Sequence, residues 1–215
     1  MATPSNKRDH WNDVYASKPV HELGWYEEAP TPSLDLLSRC NVGKDEAILD
    51  VGAGASLLLD ALLNRGFTHL IAVDISEVAL EHLQVRLRER LGPDKAALVR
   101  CIVDDLTRPA TVGQLQDIKV WHDRAVLHFL VDEADRQAYL ATLKAVVRSG
   151  GCVIIAAFAP EGASMCSGLP VCRYDEQALA EFLGPDFTLL EHFRHLYRTP
   201  ADEPRPYVYT LFRRE

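Results

Sequence analysis

Short apolar runs that end on glycine or aspartate alternate along this chain with helical stripes of leucine and alanine. No other feature narrows the fold so far. Strands that lead into helices and return as strands build a mostly parallel sheet with helices on both faces. Residues 47–51 are the first such run, followed by a helical stripe over 57–63 with Gly66 as its stop. Residues 69–73 form the second strand, and Ser76 caps a helix carrying Ala79, Leu80, Leu83 and Leu87. Gly92-Pro93 ends that helix, and residues 97–103 and 118–121 are the third and fourth strands. Tyr139, Leu140, Leu143, Val146 and Val147 mark another helix, closed by Gly150-Gly151. Residues 152–158 are apolar throughout, as a strand covered on both faces must be. Asp175 caps a further helix through Phe182, and residues 187–190 and 207–212 close the chain as two strands.

A length of 215 residues, 47% of them hydrophobic, predicts a single domain spanning 1–215. Within it, residues 1–40 form an N-terminal arm and helix over the active site, with Trp11, Tyr15, Trp25 and Tyr26 packing onto another surface. Thr31 caps the helix there and Pro32 takes its first position. Residues 41–158 form a cofactor-binding core, and 159–215 a substrate loop and C-terminal hairpin. A net charge of −8 argues against a nucleic-acid partner, which requires clustered lysine and arginine. Residues 1–10 lack the apolar core of a signal peptide, and no run reaches membrane-spanning length. Five scattered cysteines do not make a disulfide framework, so the expected setting is the cytoplasm, with reduced thiols.

Ligands of open α/β sheets sit at the carboxyl ends of the strands. After the first strand comes Asp50-Val51-Gly52-Ala53-Gly54-Ala55-Ser56. A dinucleotide turn would carry a third glycine where Leu57 stands. A carboxylate at Asp50 is also unwelcome beside a pyrophosphate, whereas it suits a ligand with a positive amine. S-adenosylmethionine (SAM) has that ammonium and no phosphate. The second strand ends at Asp74-Ile75, where an acid grips ribose hydroxyls. The third ends at Asp104-Asp105-Leu106, where Asp105 can accept from an adenine amino group and Leu106 can offer its amide. Trp121-His122-Asp123-Arg124 follows the fourth.

These residues resemble the class I SAM-dependent methyltransferase superfamily. Asp50 to Gly54 is similar to its first motif, with Ser56 in place of the usual third glycine; Asp74 matches its second motif and Asp105 its adenine-side acid. The resemblance covers about residues 40–158. It implies a Rossmann-like, seven-stranded, mostly parallel sheet with an antiparallel C-terminal strand, and SAM as cofactor. Trp11, Tyr15, Gly24-Trp25-Tyr26 and residues 121–129 resemble small bacterial methyltransferases. Asp123-Arg124 with Arg136 and Tyr139 is similar to the thiopurine methyltransferase group, which implies a small-molecule acceptor and an arginine in contact with it. The Trp-rich arm is more loosely similar to elongation-factor and citrate-synthase lysine methyltransferases, which leaves a protein lysine as the alternative acceptor.

The expected cofactor set is therefore Asp50, Gly52, Ala53 and Gly54 in the turn, with Asp74, Ile75, Asp105, Leu106, His122 and Trp11 around it. The expected catalytic set is Asp123, Arg124 and His128, under an aromatic lid of Trp25 and Tyr26. Arg124 either meets the substrate or bridges Asp123; His128 is either a base or a packed surface residue. Cys166 and Cys172 lie on the loop after the fifth strand, too widely spaced for a zinc knuckle, and no cluster calls for a metal.

Overall fold

The computed structural model describes residues 4–54 and 56–215, and side chains from Lys7 onward. Ala55, inside the glycine turn, and the first three residues of the arm lie outside the described residues. In chain order the elements are α1 (Pro4–Ser17), α2 (Thr31–Ser38), β1 (Ile48–Val51), α3 (Leu58–Asn64), β2 (Leu70–Asp74), α4 (Glu77–Leu91), α5 (Pro93–Ala96) and β3 (Val99–Val103). Then come β4 (Ile118–Arg124), α6 (Glu133–Val146), β5 (Val147–Phe158), β6 (Met165–Cys166), β7 (Leu169–Pro170), α7 (Glu176–Leu183), β8 (Phe187–Arg198) and β9 (Pro204–Arg214).

Seven strands form one sheet in the order β3-β2-β1-β4-β5-β9-β8. β1 to β5 pair in parallel, and β9 runs antiparallel to both β5 and β8. Leucines of α2, α3 and α4 pack on one face, against Ile48, Ala72, Val120 and Ile154. Residues of α6 and α7 pack on the other, against Leu49, Val73, Trp121 and Ile155. This is the expected Rossmann-like class. β1 and β4 are neighbours at the point where strand order reverses, so the loops after them diverge and leave a crevice.

Local chemistry explains the helix ends. Ser76 accepts from the Ala79 amide and Asp175 from the Ala178 amide, each satisfying an orphan donor of a first turn. Thr31 is not a cap: Pro30 holds that position, without a side-chain bond, and Pro32 falls one place later than expected. Other elements differ from expectation as well, β8 among them, which runs on to Arg198. The arm begins as a 14-residue helix, α1. β4 continues three residues beyond Trp121, so His122, Asp123 and Arg124 belong to the strand. β5 starts at Val147, five residues before the apolar run.

Candidate active site

The carboxyl ends of β2, β3 and β4, helix α1 and the loop after β5 enclose a cavity of about 860 Å³. That is ample for a cofactor and a small acceptor, since such sites run from about 300 to 1,000 Å³. Lys7, Trp11, Val14 and Tyr15 line it from one face of α1, and Lys18 lines it from just past the helix end. A cleft of about 40 Å³ adjoins it, lined by Asp50, Gly52, Ala53, His122 and Arg124 from the sheet and by Tyr15, Leu23, Trp25, Tyr26 and Glu27 from the arm.

Asp50 is buried beside His122, with Oδ1 at 2.7 Å from the ring Nδ1. His122 Nε2 lies 2.8 Å from the Ser33 hydroxyl of α2. In the neutral ring, Nδ1–H donates to Asp50 and Nε2 accepts from Ser33. The other carboxylate oxygen, Oδ2, is buried without a hydrogen-bond partner. Leaving such an acceptor unpaired costs about 1–3 kcal/mol, more when charged, so its surroundings suit a cation. His122 stays off the large cavity and lines the small cleft beside Asp50.

Two turn glycines adopt left-handed backbone, Gly52 at φ +58° and Gly54 at φ +51°. A Cβ on Gly54 would come 2.2 Å from the Tyr15 hydroxyl, and one on Gly52 would come 1.9 Å from Val126 Cγ2. The turn is thus open to the protein's own arm and to the loop after β4. The Gly54 amide donates to Asp74 Oδ2 and the Ser76 amide to Oδ1, both at 2.8 Å. Burial nevertheless pushes Asp74 up to about 6. Asp74 and Ile75 line the large cavity, as do Trp11 and Trp25.

The paired acids after β3 divide their tasks. Asp104 is buried and accepts from the amides of Asp105, Ala110, Thr111 and Val112. Burial works against its charge, but those donors hold it below the usual carboxylate range. Asp105 uses Oδ1 for the Thr107 amide and hydroxyl, and lines the cavity with Leu106.

β4 alternates its side chains across the sheet. Asp123 points toward α6, where it accepts from the Tyr139 hydroxyl at 2.6 Å and from the Val126 and Leu127 amides. It is fully buried, lines neither cavity, and is pushed up to about 6 by burial. Its hydrogen bonds are spent inside the fold, on Tyr139 and two backbone amides. His128 is buried too, packed on Phe129 and Phe158 outside both cavities. Burial and the nearby Arg124 charge push it down to about 3. It is neither a surface residue nor an accessible base. Arg124 and His128 do not share a helical face, because β4 leads into a 3₁₀ turn at Leu127–Phe129.

Arg124 lines both cavities. Its Nε donates to the Tyr209 hydroxyl at 3.1 Å and its Nη1 to the Trp25 carbonyl at 2.9 Å. Its Nη2 lies 3.0 Å from Glu27 Oε1, an ion contact without hydrogen-bond alignment. The bridge to Asp123 is therefore replaced by one to the arm. Burial opposes the charge, but Tyr209, Tyr207 and Glu27 raise the guanidinium above its ordinary value. Tyr26 lines only the small cleft, with its carbonyl accepting from the Tyr197 hydroxyl, so it does not roof the large cavity. A wall of Phe129, Phe158, Met165 to Pro170, Arg205 and Tyr207 comes from the segment after β4, the end of β5 with its following loop, and β9. Phe129, Cys166, Gly168 and Pro170 stand in segments that the sequence marks out, whereas Ser33, Lys7 and Lys18 carry no signal there.

A sheet of this order with a reversed terminal hairpin is a Rossmann-like methyltransferase fold. Residues 48–151 match the family model described as "Methyltransferase domain". By that match the chain carries a methyltransferase domain. It is 25% identical over 196 residues to EEF1A lysine methyltransferase 2 of Danio rerio, covering 85% of this chain and 76% of the relative. The Mus musculus protein of the same name is 25% identical over 161 residues, covering 69% of this chain and 64% of the relative. In fold it is similar to Burkholderia thailandensis 1,6-didemethyltoxoflavin-N1-methyltransferase, with a TM-score of 0.71 and 21% identity over 100% of this chain and 91% of the other. A SAM-dependent methyltransferase of Anabaena variabilis has a TM-score of 0.73 at 14% identity, covering 100% and 96%.

Proposed function

We propose that the chain transfers the methyl group of SAM to a small-molecule nucleophile that arrives ready to react, a thiolate or a neutral amine. The observation that carries this is the wall of Phe129, Phe158, Met165 to Pro170, Arg205 and Tyr207, which contains neither a carboxylate nor an imidazole. Of the carboxylates that line the cavity, Asp74, Asp104 and Asp105 stand at the ends of β2 and β3, and Asp132 lies three residues past Phe129. Burial pushes the Cys166 thiol and the Tyr207 phenol up, so both keep their own protons and neither stands ready as a base.

On the cofactor side, the unpaired Asp50 Oδ2 suits the ammonium, Asp74 the ribose hydroxyls, and Asp105 with Leu106 the adenine edge. Bound SAM supplies an activated methyl on a sulfonium that leaves as a neutral thioether. The protein's share is to hold the acceptor in line and keep water out. Trp11, Trp25 and Phe129 suit the second task, because they stack edge to face across the roof. A hydroxyl acceptor would need a base that the wall does not offer. Cofactor turnover against a panel of thiols, amines and phenols tests this. Turnover is expected with thiols or amines; none with any of them, beside radiolabel transfer into a protein of cell extract, would refute it.

The second reading is protein lysine N-methylation. It is favoured by the names of the two relatives at 25% identity, and the same radiolabel experiment separates it from the first.

A further inference from the structure

Tyr207 of β9 is buried and lines the large cavity, and its hydroxyl makes no hydrogen bond to any described residue. We propose that this hydroxyl donates to a carboxylate on the methyl acceptor, which makes the acceptor a small acid that also bears a thiolate or a neutral amine. The inference rests on the small-molecule reading above and names the class of molecule within it.

The ring is fixed before any ligand arrives. Phe158, its partner across the β5–β9 pairing, stands edge to face at 5.0 Å, and Tyr197 does so at 6.2 Å. The neighbouring tyrosines spend their hydroxyls inside the fold, Tyr209 on Arg124 and Tyr197 on the Tyr26 carbonyl. The other polar side chains of the wall are engaged as well. The Cys166 thiol and the Ser167 hydroxyl meet at 3.9 Å, and Arg205 pairs with Glu203. Tyr207 is thus the open side-chain donor in a wall it shares with Phe129, Phe158 and Met165. A ligand that covers this hydroxyl without offering an accepting atom leaves it desolvated and unpaired, which disfavours binding. Charge then selects among accepting groups. The Arg124 guanidinium lies 5.2 Å from the ring centre, and at the phenol its charge outweighs that of Glu27. The local field therefore favours an anion, and an ammonium there would meet the Arg124 charge instead. Position keeps the group apart from the cofactor acids. In the sheet β9 stands four strand spacings, about 19 Å, from β2, where Asp74 lies. Asp132 is exposed at the start of α6.

Cofactor turnover with 2-mercaptobenzoate, 3-mercaptopropionate and 2-aminobenzoate, each beside its methyl ester, tests the assignment. The ester keeps the nucleophile and the carbonyl and removes the charge. At least one acid is expected to exceed its ester by about tenfold or more in kcat/KM, mostly through KM, the scale of one charged hydrogen bond. Tyr207→Phe should bring that ratio close to one while the affinity for S-adenosylhomocysteine stays at the wild-type level. The variant removes an oxygen without a partner in the fold, so its melting temperature should not fall. Should it fail to fold all the same, the wild-type comparison of acids with esters still decides. Esters used as well as their acids would overturn the proposal, and so would a preference for the acid that survives Tyr207→Phe. Turnover of simple thiols or amines from the broader panel, with none of the three acids used, would overturn it too. No turnover in either panel would sink the small-molecule reading itself, and the inference with it.

Discussion

Asp50→Asn separates binding from stability, because the structure gives the carboxylate a cost in one and a benefit in the other. Its Oδ1 is paired with His122, and an asparagine oxygen there keeps that bond. Its Oδ2 is buried and unpaired, so the free protein gains nothing from the second oxygen and carries a desolvated charge. Asparagine removes the charge and places an amide nitrogen where the ammonium is expected. A charged hydrogen bond contributes about 1.5–3 kcal/mol, which converts to a loss of about 10- to 150-fold in SAM affinity. The melting temperature without ligand should stay level or rise. Stabilisation by a fixed ligand concentration should shrink, because it follows the ratio of concentration to Kd. Calorimetry with S-adenosylhomocysteine and paired melting curves read both quantities. Affinity within twofold of wild type would refute the reasoning, and so would an equal loss for 5′-methylthioadenosine, which has no ammonium to lose.

Gly54→Ala puts a Cβ 2.2 Å from the Tyr15 hydroxyl on left-handed backbone, a strain of about 1–2 kcal/mol before the clash. A lower melting temperature is expected, partly recovered by adding Tyr15→Phe; no recovery would mean that the clash is not with the hydroxyl. Tyr139→Phe leaves Asp123 without its 2.6 Å donor and Trp121 Nε1 without its acceptor. Denaturant unfolding should register a loss of about 2–4 kcal/mol, with the KM for SAM unchanged; a normal melt with a collapsed kcat would restore Asp123 to the chemistry. Asp74 is pushed up to about 6, so its ionisation penalises the folded chain. That contribution to stability is complete below the unfolded value of about 4 and is lost as pH rises through about 6. The ionised form is the one that accepts ribose hydroxyls, so cofactor affinity should fall as pH drops from 7 to 5. Asp74→Asn should flatten the curve, and a profile identical to wild type would refute the role.

Residues whose role depends on near neighbours were legible in the sequence. The glycine turn, the caps at Ser76 and Asp175 and the acid ending β2 all act within a few residues of themselves. The end of β4 was not, because its meaning turns on strand length. If the strand stops at Trp121, the next three residues form a loop and can converge on a reacting atom. With the strand running to Arg124, the period of two decides their fates. His122 and Arg124 then share the face toward the Asp50 carboxylate and the arm, while Trp121 and Asp123 share the face toward Tyr139. Apolar patterning alone ends the strand early, since His-Asp-Arg reads as solvated sequence. Only pairing with β5, whose Ile154, Ile155 and Ala156 stand opposite these three residues, keeps them in the sheet. The arm failed for the opposite reason. Lys7, Trp11, Val14, Tyr15 and Lys18 repeat at helical spacing, but the stripe mixes cations with aromatics and does not look like a core face. It is the inner face of a roof over a ligand-sized cavity, and such a face carries the chemistry of the ligand rather than that of a core.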